Sequence, residues 1–165
     1  RIRLLRNHGM TAPYHHDVVG YNWRLTELQA AMGIVQLGRL PGILERKRGN
    51  ALWMANRLGS VPGVTPPAVR QGAEHPYMIY TVLLDEGIDR DEVLADLLED
   101  GIEAKVYFPP VHRQPIFAEL MVELPRTDEI AQRMLSLPFH AGLAGGELEL
   151  IADRLAGAVA VNESS

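Results

Sequence analysis

The stretch His15–Leu37, HHDVVGYNWRLTELQAAMGIVQL, joins a loop crowded with polar groups directly to the start of a helix. The loop carries His15, His16, Asp17, Tyr21, Asn22 and Arg24. Thr26 followed three residues later by Gln29 has the spacing of a capping box, in which the two side chains satisfy backbone donors that the first helical turn leaves unpaired. A rigid helix is therefore expected where the polar loop ends. Free N–H groups at such a junction, with the positive end of the helix dipole, favour phosphate or carboxylate, and Arg24 adds a two-pronged donor. Chemistry alone leaves two readings open: an anion site, or an ordinary loop before an amphipathic helix.

Charge is distributed unevenly around this junction. Residues 1–60 hold nine Lys/Arg against three Asp/Glu, and residues 61–165 hold seven against eighteen, within a net charge of −5. The basic part is the part with the anion-site candidate, so nucleotide diphosphates and cofactor phosphates would be drawn to it. Arg46, Lys47 and Arg48 read more simply as a solvated helix face. No basic stripe with interleaved aromatics is present, so no nucleic-acid partner is expected. An apolar content of 47% is enough for a core. No apolar run reaches the roughly 18–20 residues of a membrane helix, which predicts a soluble, cytoplasmic protein without a membrane partner. Zero cysteines exclude disulfides and thiolate zinc sites.

Along the chain, 24–40 reads as one helix and 41–59 as another, with Pro41 in the first turn of the second. Leu44, Ala51, Ala55 and Leu58 share one face of that second helix. The Pro- and Gly-rich SVPGVTPPAVRQGAEHP predicts a boundary near 60–75. Beyond it, PYMIYTVLL reads as a strand, and Asp89 with Glu92 opens a helix with Val93, Leu94, Leu97 and Leu98 inward and Gly101 as its stop. IEAKVYF reads as a second strand ended by Pro109 and Pro110. Asp128 and Glu129 open a further helix with Ile130, Met134 and Leu135 inward, a last helix covers about 146–160, and NESS is a frayed tail. The expected product is a small α/β domain of two or three strands covered by helices.

The block HGM…YHH…GYNWRLTELQAAMG…QL closely resembles the DegT/StrS-type sugar-nucleotide aminotransferases, and IEAKVYFPPVHRQPIF and MLSLPFHAGL extend the resemblance nearly to the last helix. It implies an α/β chain, the C-terminal part of the pyridoxal 5'-phosphate (PLP)-dependent transferase fold type I, with a helical connection followed by a small α/β domain. Residues 1–60 would end the large cofactor domain and supply interdomain and dimer helices, 61–75 would be a linker, and 76–165 the small domain. The family's Schiff-base lysine lies in a serine-rich motif upstream of the region matching Arg1–Gly9, as do its pyridinium-pairing aspartate and its stacking aromatic ring. Lys47 and Lys105 are the only lysines, and neither sits in a family motif. With no initiator Met before RIRLLRNHG, the resemblance implies a fragment without a catalytic residue of its own, inactive alone.

The intact parent would use PLP to aminate a keto-sugar nucleotide, with glutamate as the usual amino donor, in a homodimer with shared active sites. By resemblance, Asn22 donates to the phosphate of the partner subunit's PLP, and Arg24 meets a substrate or donor carboxylate. An uncharged amide suits a phosphate dianion, since it approaches without desolvating a second ion. His15, His16, Tyr21 and, on the PPVHRQP loop, His112 are the further substrate-binding candidates. As a metal pair His15 and His16 are unsuited, because adjacent side chains diverge and no H-x-x-x-H is present, so no metal is expected. Tyr107 and Phe108 read as strand residues with at least one in the core, and His8 and His140 as structural. Two other readings stand beside this one: a PLP-dependent deoxysugar dehydratase of the same family, and a non-catalytic dimerisation or regulatory module.

Overall fold

A computed structural model describes residues 1–162, so most of the NESS tail lies outside the described residues. The chain divides into two compact units, Arg1–Pro41 and Gly42–Ser165.

In the first unit, α1 (Ile2–Leu5) leads into a two-stranded antiparallel hairpin, β1 (Met10–Ala12) with β2 (His15–His16). The return strand then runs back beside the chain before the hairpin. Tyr21 N donates to Leu5 O at 2.6 Å, His8 N to Tyr21 O at 2.9 Å and Trp23 N to Arg6 O at 3.0 Å, and Asn7 and Asn22 form an isolated antiparallel bridge. Two glycines permit this closeness. A Cβ on Gly20 would lie 2.0 Å from Gly9 N, and one on Gly9, whose φ is +69°, would lie 1.8 Å from Val18 O. At these two positions backbone meets backbone, with no room for a side chain.

The capping box forms at the expected place. Thr26 N donates to Gln29 Oε1 at 3.0 Å and Gln29 N to Thr26 Oγ1 at 3.3 Å, and α2 begins at Glu27 rather than 24. It does not stop at Pro41. Instead of two helices there is one of 32 residues, Glu27–Leu58, with Pro41 in its interior. An interior proline costs about 3 kcal/mol through a lost hydrogen bond and a ring clash. Gly38 and Gly42 on either side are poor helix formers as well, so the penalty is offset by tertiary burial, that of Ala51, Met54 and Leu58 in the second unit.

The second unit is built on a three-stranded antiparallel sheet in the order β3 (Val64–Thr65), β4 (Tyr80–Leu84), β5 (Met134–Leu137). Along β4, Tyr80, Val82 and Leu84 are buried and the residues between are half-buried, the period-2 pattern of a strand with one face on a core. That core is closed by α3 (Arg90–Glu99) and α5 (Gly145–Asn162), through Val93, Leu97, Ile151, Ala152 and Leu155. The start of α3 matches expectation, with Asp89 accepting from the backbone N of Asp91 and Glu92, and Gly101 past its end has φ +76°. Leu98, expected inward, is exposed.

The strand count holds, but a member differs. IEAKVYF is not a strand, because it meets β5 through a single bridge, Lys105 with Ser136. The third strand is instead MLSL. The helix expected to carry Met134 and Leu135, α4 (Pro125–Arg133), ends just before them. Two arginines fix that end. Arg133 Nε donates to Leu84 O at 2.8 Å, and Arg90 Nη1 donates to Ala131 O at 3.0 Å and Met134 O at 3.1 Å. Arg90 thus supplies donors to carbonyls at the helix end while Arg133 ties that end to β4, and Leu135 and Leu137 become buried strand residues beside β4. Ile130 is exposed rather than inward.

Candidate functional site

The Asn7–Asn22 bridge organises the polar loop of the first unit. Residues paired across an antiparallel bridge share a face, and alternate residues along an extended stretch share one too. Asn7, Asn22 and Arg24 therefore project to one side, where Arg24 Nη2 donates to Asn7 Oδ1. Tyr21 and Trp23 project to the other, with rings stacked at 4.4 Å and an interplanar angle of 5°. Arg24 and Asn7 line an open cleft of about 440 Å³ with Met10, Thr11, Pro13 and Tyr14. Among the described residues no carboxylate pairs with Arg24, and the exposed Asn22 side chain makes no hydrogen bond.

The two histidines diverge. His16 Nδ1 reaches back to His8 O at 2.8 Å, whereas exposed His15 places Nε2 3.0 Å from Asp17 Oδ1. Neither lines the Arg24 cleft. Among the described residues no group of three or more His, Asp or Glu is placed to hold a metal ion. The structure thus gathers Asn22 with Arg24 and sets Tyr21 on the opposite face. It adds Asn7 and Trp23, which sequence reasoning missed. Trp23 is within reach of the period-2 rule once 21–24 is read as extended, whereas Asn7 carries no local signal because its partner is fifteen residues away.

In the second unit, Pro109 and Pro110 lead into a single tight turn, Val111–Arg113, that carries His112. Its side chain is only 8% exposed, with Nε2 lying 3.1 Å from Asp128 Oδ1 on α4. The approach is off the line of a directed hydrogen bond, so this buried nitrogen is a close polar contact without a true acceptor. Arg113 holds the same carboxylate with both prongs, Nε to Oδ1 at 3.1 Å and Nη2 to Oδ2 at 2.6 Å. That hydrogen bonding keeps the Asp128 carboxyl below the usual carboxylate range. Asp128, expected only as a helix-opening acid, is the fastening point of the loop. A cleft of about 600 Å³ lies beside it, lined by Val106, Pro109, Pro110, Arg113, Asp128 and Gln132.

Neither lysine lines either cleft. Lys47 Nζ sits 5.7 Å over the Phe139 ring, where burial lowers its pKa from the ordinary lysine value, and Lys105 Nζ lies 3.9 Å from Glu103 Oε2. Of the two residues expected on a strand, Phe108 is exposed and Tyr107 half-buried, with ring centroids 5.2 Å apart. Among the described residues no helix is long and apolar enough to cross a membrane.

Residues 1–156 match the family model of the DegT/DnrJ/EryC1/StrS aminotransferase family. A GDP-perosamine synthase of Caulobacter vibrioides is 35% identical over 157 residues, covering 92% of this chain and 42% of that protein. A UDP-N-acetyl-3-dehydro-alpha-D-glucosamine 3-aminotransferase of Acidithiobacillus ferrooxidans is 35% identical over 154 residues, 92% of this chain and 41% of that protein. Among solved structures, DesV of S. venezuelae superposes with a TM-score of 0.86 at 30% identity, over 95% of this chain and 43% of that one. The chain spans less than half the length of the curated relatives it matches.

Proposed function

The chain belongs to the DegT/DnrJ/EryC1/StrS aminotransferase family, and from that premise we propose that it is the C-terminal portion of a PLP-dependent aminotransferase that aminates keto-sugar nucleotides for amino-sugar synthesis. The observation that carries this reading is one face of the first unit, where among the described residues the Asn22 amide makes no hydrogen bond and no carboxylate pairs with Arg24. The donor set fits one edge of a cofactor phosphate site. It does not fit a whole one, since Lys47 and Lys105 are engaged elsewhere and line neither cleft.

When bound, PLP supplies the electron sink of transamination. The residues of this chain orient and bind. Asn22 donates its amide N–H to the phosphate of the cofactor held by the partner subunit, without bringing a second charge to be desolvated. Arg24 receives the carboxylate of the amino donor, which we take to be glutamate, in two-pronged fashion. His15, His16 and Tyr21 contact the nucleotide sugar from the loop. His112, a further substrate-binding candidate, has its ring nearly buried beside Asp128 within the second unit, which favours a part in shaping its own loop over direct contact with substrate. In this scheme residues 1–60 complete the large domain and the dimer helices, 61–75 link, and 76–165 form the small domain of a cytoplasmic homodimer.

Subunit exchange in the intact protein tests the scheme. Asn22→Asp places a carboxylate against the phosphate dianion, so its homodimer loses cofactor affinity and activity. A second inactive homodimer lacks the Schiff-base lysine. Mixed dimers of the two hold one undamaged site, so reassortment of equal amounts restores roughly a quarter of wild-type activity. Activity remaining at the level of the parent mutants after verified exchange would overturn the shared site.

A further inference from the structure

Asn7 is the residue to which the polar face is tied, and it has no role in the scheme above. Its backbone bridges to Asn22, its Oδ1 accepts from Arg24 Nη2, and it lines the same cleft as Arg24. The residue type matters as much as the contact. A guanidinium has five N–H donors, and a neutral amide oxygen restrains one while leaving the others, and the full positive charge, for a ligand. A carboxylate at the same position would make the stronger, charge-assisted bond and cancel that charge. Among the described residues Arg24 has no such partner. Of the acids nearest along the chain, Glu27, three residues on, makes no ion pair among the described residues, and Asp17 is engaged with His15 at 3.0 Å.

We infer that Asn7 is a positioning and specificity-determining residue: it aims the Arg24 guanidinium into the 440 Å³ cleft while keeping it uncompensated, so that the cleft selects a carboxylate-bearing ligand. This rests on the reading that Arg24 receives a ligand carboxylate. It adds that the neutrality of position 7, as well as its geometry, sets the selectivity.

The consequence is an order of mutant effects that a purely structural role would reverse. Asn7→Asp is isosteric and keeps the acceptor, so if Asn7 only supports the fold it is the milder change and Asn7→Ala the harsher. If Asn7 preserves the charge of Arg24, Asp is the worse of the two for an anionic ligand. The probes are glutarate and its neutral diamide, glutaramide, titrated calorimetrically into the intact protein, with circular dichroism verifying that each variant is folded. Asn7→Asp weakens glutarate binding roughly tenfold to a hundredfold, Asn7→Ala less than tenfold, and glutaramide binding is the same in all. In steady-state assays the loss falls on KM for the amino donor rather than on kcat or on KM for the keto sugar. Asn7→Ala weakening glutarate as much as Asn7→Asp would overturn the inference. So would an Asn7→Asp protein that binds glutarate normally while Arg24→Ala does not, which leaves the reading of Arg24 intact. Normal glutarate binding by Arg24→Ala overturns that reading itself.

Discussion

Replacing Tyr80 by phenylalanine should stabilise the second unit. Tyr80 sits fully buried at the start of β4, its ring 5.1 Å from that of Phe139 and 6.2 Å from that of Tyr77, and its hydroxyl has no hydrogen-bond partner among the described residues. A buried hydroxyl without a partner costs about 1–3 kcal/mol of lost hydration. Phenylalanine keeps the ring and its contacts and removes only that oxygen, so Tyr80→Phe should gain about 2 kcal/mol, or roughly 4–8 °C in Tm for a domain of this size. The pH dependence supplies an independent check. Burial, with Tyr77 close by, raises the Tyr80 pKa above the ordinary tyrosine value. The unfolded chain therefore releases this proton near pH 10 while the folded chain keeps it. The stability that follows is complete below that value and declines as pH rises above it. The phenylalanine side chain has no proton to lose, so the advantage of the variant should widen between pH 8 and pH 11. Urea unfolding followed by circular dichroism at both pH values measures it. A Tyr80→Phe protein less stable than wild type by 1 kcal/mol would show that the hydroxyl is satisfied in solution, and a gap that does not grow with pH would show that the folded chain does not hold its proton; either result refutes the reasoning.

Thr26→Ala removes half of the capping box and should cost about 1 kcal/mol, seen as faster amide exchange in the first turn of α2 with the second unit unchanged. Asp128→Asn cuts the charge-assisted hold on the loop at His112 and Arg113. Because Arg113 lowers the Asp128 pKa, wild type gains this stabilisation above the ordinary carboxylate range and loses it as pH falls through the lowered value. Proteolysis of the 109–124 loop should therefore quicken in Asp128→Asn at pH 7 and differ little from wild type at very acid pH. Gly20→Ala drives a Cβ to 2.0 Å from Gly9 N. That variant should lose the hairpin, measured as loss of protection at His8 N and Tyr21 N in hydrogen exchange, while Gly33→Ala, with open space around it, should be harmless.

The features legible in the sequence were those whose chemistry is local. Thr26 with Gln29, Asp89 with its first-turn amides, and Gly101 at positive φ each act within a few residues of themselves, so spacing reveals them. The family, too, was legible, because its blocks lie in the sequence as contiguous text. Pro41 misled because a local rule met a tertiary force: burial further along α2 outweighs one missing hydrogen bond. MLSL misled for the same reason. Its apolar spacing suits a helix, but Arg90, forty-one residues before Ala131, terminates α4 ahead of it. Asn7 and Asp128 were unreadable as site residues because each gains its meaning from a partner brought to it by the fold, Arg24 seventeen residues on and Arg113 fifteen residues back.

The paired glycines of the first unit determine where variation is tolerated. Gly9 and Gly20 meet backbone to backbone at the base of the hairpin, and no side chain of the ten residues between them is buried. A new residue at Thr11 or Tyr14, both exposed and both lining the cleft, therefore changes that lining without touching the backbone bridge that sets Asn7 beside Asn22. If the proposed function holds, ligand preference would drift by substitution at those tip positions while the face carrying Asn7, Asn22 and Arg24 stays the same. A library randomised between the two glycines should return mostly folded proteins of altered selectivity, whereas the same diversity spent on the glycines themselves should return almost none.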